Sequence, residues 1–563
     1  MRRVPTATYM TYPQLVDRLR RLADLAPDLV RLEVIGKSRL GRDLFAVTLT
    51  DAATGSPLDK PGVLVDGNIH AGEVCASSAV VHWIERLVEE RDRDPVVREL
   101  LRTRTVYAIP RIAVDGAEVY LTTPARLRSS PHLYPHTSPP DGFVEDDVNG
   151  DGRILWMRVP AEDGAYAIDE IDPRVMRPRQ PGEIGGVYYH VFPEGRVMRT
   201  SQGGARPAAS SARDVRLHGM DFNRNFPIRW AGESGQSGAG PFPLSEPELR
   251  ALVDFIQAHP NIAAYAALHT SGGVILRQPS TGDDTVLSPL DRALFTEVAR
   301  MGERETGYFS GSNYEKFATG HEAVLMPGAA DDWMYDHLGV LSFTVELWDL
   351  RRRAGARGYG EIGMRKMMAL TVEERLEDER KVVDYVAREF PDAYTPWTLF
   401  DHPDFGRVEI GGLDPKFVIQ NPPPALLEEE CDRVGRFLTR LGLSTARLVV
   451  SGISVEPVAE GVYRVVAEVA NAGFLPTAST KKGRDLALEG IRAELRGASE
   501  ILAGASPCEL DHLDGYGFHG NWRLPAHQRA HVEWVVRGAP GAFIEVRFST
   551  PRAGRATASV ALP

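Results

Sequence analysis

The chain has 563 residues, too many for one ordinary domain, and its 43% hydrophobic and 25% charged residues provide for a large buried core rather than disorder. A formal net charge of -12 with scattered Lys and Arg offers no polyanion-binding face, which excludes nucleic acid as a partner. Cys75, Cys431 and Cys508 lie far apart and are odd in number, which excludes a disulfide framework. No stretch reaches membrane-spanning length, and Met1-Arg2-Arg3-Val4-Pro5-Thr6 is followed by no apolar run. A cytoplasmic protein without a membrane partner is therefore expected, unless a leader has been removed.

Taken in order, Leu15, Leu19, Leu22 and Leu25 mark a helix that Pro27 closes. Val30–Val34 and Leu44–Leu49, separated by the turn Gly36–Arg42, predict a hairpin. Val63–Asp66 predicts a buried strand, Ala76–Glu90 a helix and Thr105–Ile109 a further strand, an alternation that argues for an α/β layer architecture. From about Leu121 to Met220 the pattern degrades into a long insertion rich in Pro, Gly, Arg and Asp. Within it, Asp147-Val148-Asn149-Gly150-Asp151 resembles the first half of a calcium loop, but Arg158 stands where the closing Glu belongs. A tight turn held by Asx hydrogen bonds is preferred there, and a weak Ca2+ site at Asp147–Asp151 is the alternative.

Further on, Pro247–His259 reads as a helix with Ser245 as its cap and Glu248 three residues later. Ala263–Leu268 and Leu341–Leu347 read as buried strands, and residues 374–390 and 424–442 as amphipathic helices. Beyond about residue 445, short strands at Leu448–Val450, Val462–Val469, His531–Arg537 and Ala542–Phe548 suit a small antiparallel β-sandwich. The domain expectation is thus 1–443, with a mixed central sheet flanked by helices and an insertion at about 121–220, followed by an all-β accessory module at 444–563.

Chemistry concentrates at strand ends. Gly67-Asn68-Ile69-His70-Ala71-Gly72-Glu73 places an imidazole and a carboxylate three residues apart, just after a predicted buried strand. Alone, such a pair is more often a capped turn than a metal site. His269, at the end of another strand, supplies a third ligand; His82 and His259 are less well placed. Two His and one Glu form a recurring hydrolytic zinc set that leaves a position for water. Cys75 is then a small buried residue rather than a fourth ligand. Glu346, in the apolar strand Ser342–Leu347, is either a salt-bridged buried acid or, beside a zinc ion, a general base.

These segments, in their order, resemble the M14 zinc carboxypeptidases, the funnelins. The likeness runs through Tyr12–Val47, His70-Ala71-Gly72-Glu73, Asp115-Gly116, Asp221-Phe222-Asn223-Arg224-Asn225-Phe226, Pro243–Thr270 and Asp332-Trp333 to Glu346, most of residues 9 to 350. The resemblance implies one Zn2+ per chain held by His70, Glu73 and His269, with Glu346 as general base. It implies that Asn223 and Arg224 hold the free C-terminal carboxylate of a peptide substrate, as a guanidinium fork does well. An arginine that polarises the scissile carbonyl is expected in Arg153–Arg158, with Arg158 preferred over Arg153. Asp331 falls near the base of the side-chain pocket, where an acid would favour a basic C-terminal residue; a solvated Asp is the alternative. The substrate-capping tyrosine of typical members would fall at Val324–Leu325, where none stands; Tyr314 is a substitute, and Tyr335 resembles a structural neighbour. The expected function is metal-assisted hydrolysis of a C-terminal peptide bond. Its alternatives are a hydrolase of cell-wall peptides or another amide (a deacylase or deglutamylase), and a catalytically vestigial binding protein. Oligomeric state is not legible.

Overall fold

In the computed structural model, which describes residues 7–135, 142–198, 219–280, 282–317, 326–518 and 526–563, the chain is organised on an eight-stranded mixed sheet. Its strands are β1 (Val30–Lys37), β2 (Asp43–Leu49), β3 (Gly62–Gly67), β4 (Thr105–Ile109), β5 (Ile262–Thr270), β6 (Val274–Arg277), β7 (Phe309–Ser312) and β8 (Leu341–Leu347). They lie in the order β1-β2-β4-β3-β5-β8-β6-β7. β1 and β2 form the expected antiparallel hairpin, and the central β4, β3, β5 and β8 run parallel. Every residue of β3, β4 and β5 is buried, so these strands read as continuous apolar runs rather than alternations.

Successive side chains of a strand point to opposite faces, and here the faces carry separate cores. Val63, Val65 and Leu268 join one cluster with α1 (Tyr12–Leu25), α2 (Val74–Glu90), α4 (Pro289–Thr306) and α6 (Pro424–Ser444). Leu64, Tyr265 and Ala267 join another with α3 (Pro247–Ala258) and α5 (Ala330–Leu338). Ser245 does not cap α3 as expected. Its N–H and hydroxyl are both drawn to Asn225 Oδ1 (2.9 and 3.3 Å), and the residue at the cap position is Glu246.

Glu248, in the first turn of α3, accepts from Arg39 N (3.0 Å) through Oε1 while buried Oε2 has no partner. Burial pushes its carboxyl from 4.5 up to about 7, against the hydrogen bond from Arg39. The native protein therefore keeps a proton that the unfolded chain releases between these values. Stability is lost as pH rises through that window, by roughly 1–3 kcal/mol. Urea melts at pH 5 and pH 7.5 should show this slope, and Glu248→Gln should flatten it.

The described part of the insertion is more ordered than its sequence suggests. Trp156–Pro160, Tyr166–Ile168, Met176–Pro178 and Tyr189–Pro193 join the hairpin Tyr394–His402/Gly406–Leu413 in a six-stranded sheet, and Gly142–Glu145 pairs with Gly195–Met198. These strands are too short for alternation to show, and their apolar partners Val408 and Ile410 come from a distant part of the chain. The Asp147 turn is built as the Asx reading expects. Asp147 accepts from the N–H groups of Gly150, Asp151 and Gly152 (2.8, 3.1 and 2.8 Å), and Asn149 from that of Asp151 (2.9 Å). The Asp147–Asp151 loop is not among the groups of His, Cys, Asp and Glu side chains that the described residues place to hold a metal ion.

After α6 the chain forms two four-stranded antiparallel sheets around Trp534, Val465, Val546 and Phe548. This C-terminal unit grips the end of α5. Arg552 donates to the carbonyls of Gly339 (3.1 Å), Ala478 (3.3 Å) and Leu338, and Thr480 to Gly339 O (2.7 Å). A cation there complements the negative end of the helix dipole. Among the described residues, no helix is long and apolar enough to cross a membrane.

Candidate active site

Three neighbouring parallel strands, β3, β5 and β8, end at one place, and each delivers a polar side chain there. After β3, Asn68 takes a left-handed conformation (φ 58), and its amide donates to the carbonyls of His70 (2.6 Å) and Ala71 (3.2 Å). That turn brings His70 and Glu73 side by side before α2 begins. His269 lies near the end of β5 and is paired in register with Glu346 of β8. His70, Glu73 and His269 are 3%, 2% and 1% exposed.

The geometry is that of three ligand atoms facing one point. Glu73 Oε1 is 2.8 Å from His70 Nδ1, Glu73 Oε2 is 3.0 Å from His269 Nδ1, and the two Nδ1 atoms are 3.2 Å apart. Burial opposes ionisation of Glu73, yet the two imidazoles outweigh it and hold the carboxylate far below its ordinary range. Burial likewise opposes a charged His269, but Glu73 draws it up to about 9. A buried carboxylate that gathers positive charge between two imidazoles is a place that favours a cation. Among the described residues this is the one group of His, Cys, Asp and Glu side chains placed to hold a metal ion. His70 Nε2 meets Asp221 Oδ1 at 3.1 Å, the outer carboxylate that orients a metal-binding imidazole. The donor set of two nitrogens and a carboxylate fits zinc.

A cavity of about 310 Å³ opens over these residues and is also lined by Arg128, Asn223, Arg224, Asp331, Glu346 and Tyr359. Glu346 Oε2 is buried without a hydrogen-bond partner, and burial pushes this carboxyl up to about 8. Asn223 and Arg224 stand on a single helical turn begun by Asp221, whose Oδ1 accepts from Asn223 N (2.9 Å). Gly328 is required beside them: its φ is 78, and a Cβ would lie 2.3 Å from Arg224 O. Asn223 Oδ1 in turn accepts from Ala330 N (2.8 Å) at the start of α5, next to Asp331. Asp331 is 1% exposed and accepts from Asn313 Nδ2 (2.9 Å) and Asp332 N (3.0 Å), so it is not a solvated surface acid.

Two expectations need correction. Arg158 is not at this site. It sits in the insertion sheet, its Nε 2.8 Å from Glu409 Oε2 and its guanidinium 4.2 Å from the centre of the Trp397 ring. Besides Arg224, the cavity holds Arg128, whose Nε donates to Asp221 Oδ2 (2.9 Å), while an Nη lies 3.5 Å from Glu73 Oε1. Its carbonyl accepts from Ala71 N (2.7 Å), which ties it to the ligand loop. The chain returns to the metal site directly after the helix Val114–Thr122 and only then enters the insertion. Arg128 stood twelve residues past Gly116, a visible signal hidden by reading everything after Leu121 as irregular. The second concerns tyrosine. Val324 and Leu325 lie outside the described residues and Tyr314 does not line the cavity, whereas Tyr335 is buried and donates to Asp291 (2.8 Å), in keeping with the structural place expected for it. Tyr359 does line it, with its hydroxyl bonded to Ser271 O, and nothing in the sequence singled it out.

A mixed sheet whose parallel strands carry a His-Glu-His group into a cavity defines a metallohydrolase-like site, and sequence comparison places the chain more narrowly. The family model described as "Zinc carboxypeptidase" matches residues 15–143 and 187–377. The chain belongs to the M14 zinc carboxypeptidase family. A second model, "Domain of unknown function (DUF8731)", matches residues 447–561. Carboxypeptidase A4 of Mus musculus is 22% identical over 329 residues, 57% of this chain and 58% of that protein. Carboxypeptidase B2 of Rattus norvegicus is 32% identical over 187 residues, 31% of this chain and 41% of that protein. The chain thus spans less than two thirds of the length of either relative. Among solved structures, thrombin activatable fibrinolysis inhibitor matches with a TM-score of 0.40 and 19% identity over 69% of this chain and 78% of that one.

Proposed function

We propose that this protein is a zinc-dependent carboxypeptidase that removes the C-terminal residue of peptides, with a preference for basic residues. The observation that carries the reading is the meeting, in one cavity, of the His70-Glu73-His269 group with a buried carboxyl, Glu346, and two arginines, Arg128 and Arg224. A zinc ion held by His70, Glu73 and His269 supplies Lewis-acid chemistry toward water and a carbonyl. Glu346 takes a proton from the attacking water as its oxygen bonds to the scissile carbonyl carbon. When the C–N bond breaks, Glu346 returns that proton to the leaving amine. Arg128 faces the charge that develops on the carbonyl oxygen. Asn223 and Arg224 hold the terminal carboxylate and so place the last peptide bond, and no other, over Glu346. Asp331 meets the cationic end of a Lys or Arg side chain.

The test is a metal assay followed by peptides that differ only in the last residue, each as free acid and as amide. One zinc per chain and cleavage of the free acids are expected. Asp331→Asn should lower kcat/KM for C-terminal Lys and Arg by roughly 30- to 1000-fold, the scale for losing one partner of a buried charge pair, and leave Leu nearly untouched. Equal cleavage of the amides would move the assignment to another amide hydrolase on this scaffold. A sample with neither zinc nor cleavage would leave a binding protein.

A further inference from the structure

Glu73 occupies the residue just before α2, the position from which a side chain normally accepts a hydrogen bond from an N–H two or three residues on. Its carboxylate cannot do so, because it faces His70 and His269 at 2.8 and 3.0 Å. Ala76 N is met by the carbonyl of Glu73 itself (3.1 Å), which leaves the Cys75 N–H in a fully buried place with no acceptor in its own segment. Asn421 supplies one from elsewhere in the chain. Its Oδ1 accepts from Cys75 N at 2.9 Å, and its Nδ2 donates to Gly72 O at 2.8 Å. One side-chain amide therefore grips the backbone on both sides of Glu73.

That amide is itself held firmly. Asn421 is 0% exposed, and its Nδ2 also lies 3.0 Å from Lys416 O and 3.2 Å from Tyr120 Oη. The neighbouring Gln420 lies so close over Gly72 that a Cβ there would come within 2.6 Å of its amide oxygen. The segment carrying these residues lies beyond residue 377, where the match to the carboxypeptidase model ends. A part of the chain outside the matched region thus completes the start of the helix that bears a ligand.

We propose that Asn421 is a positioning residue of the metal site. Acting through Gly72 and Cys75, it fixes the backbone orientation at which the Glu73 carboxylate faces both imidazoles. The inference rests on the zinc reading above. Groups that orient metal ligands from the second layer commonly change metal affinity by about 10- to 100-fold when lost, and Asn421 is expected to act on that scale.

The experiment measures zinc affinity by chelator competition on the full chain, together with thermal unfolding of the same proteins stripped of metal. Asn421→Leu removes both hydrogen bonds at similar volume, and Asn421→Asp keeps an acceptor for Cys75 N. Asn421→Ala replaces the Leu variant if that one does not fold. A 10- to 100-fold weaker affinity in the Leu variant is the expected result, with the Asp variant, which keeps the bond from Cys75 N but loses the donor to Gly72 O, between it and wild type. Wild-type affinity in the Leu variant overturns the inference and leaves the zinc reading intact. A loss shared in full by both variants, with a matching fall in metal-free stability, also overturns it, since that marks a packing role. A wild-type chain that binds no zinc overturns the underlying reading and the inference with it.

Discussion

Glu346→Gln is expected to retain one zinc per chain and to lose about 10²- to 10⁴-fold in kcat, with KM for a free-acid peptide nearly unchanged. Gln preserves the volume and the register pairing with His269 at the end of β8. What it cannot do is take a proton. Burial raises the Glu346 carboxyl while the nearby His269, Arg128 and Arg224 favour its ionised form, and its Oε2 has no hydrogen-bond partner among the described residues, so the group is open to exchange a proton. Metal content by elemental analysis and single-turnover kinetics on one sample check the prediction. A metal-loaded variant that turns over normally would remove Glu346 from the base role.

Arg128→Ala should lower kcat by roughly 10²- to 10³-fold, the scale for losing one donor to a developing oxyanion, whereas Arg158→Ala should leave kcat/KM within about twofold. The two arginines differ in what they face. Arg128 lines the cavity beside the ligand group, and Arg158 is closed between Glu409 and Trp397 in another sheet. Because Arg128 also donates to Asp221, which orients His70, zinc content must be measured with the rate. Arg128→Lys keeps the charge but not the planar fork, and should fall between wild type and the Ala variant. A large loss in Arg158→Ala at normal stability, or none in zinc-bound Arg128→Ala, would reverse this assignment.

The same pair of residues marks where sequence reasoning runs out. Distance along the chain from Asp115-Gly116 still reaches Arg128, which stands before the insertion strands, but it is no guide to Arg158, which lies among them. The insertion strands are three to five residues long, too short for a period to be read. The partner that joins them to the hairpin is distant: Glu409, Ile410 and Gly411 pair with Arg158, Met157 and Trp156, more than 250 residues earlier. Asn421 escapes for a related reason. An Asn in front of three prolines carries no local sign that its amide will cap a helix beginning at Val74. Tyr359 likewise becomes visible only when α5 and the ligand loop close the cavity around it.

What the sequence determined by itself is local: the buried strands, whose apolar runs follow from burial on both faces, and the residues that lie at their ends. His70 and Glu73 are legible because one turn joins them, and His269 and Glu346 because each lies near the end of a buried strand. Parallel pairing then brings such ends together, so a correct list of strands already implies a site. Which tyrosine lines the cavity and what holds the ligand loop were decided by tertiary structure alone. Those choices depend on contacts between segments far apart in the chain, and a linear pattern carries no record of which distant backbone group a buried polar side chain must satisfy.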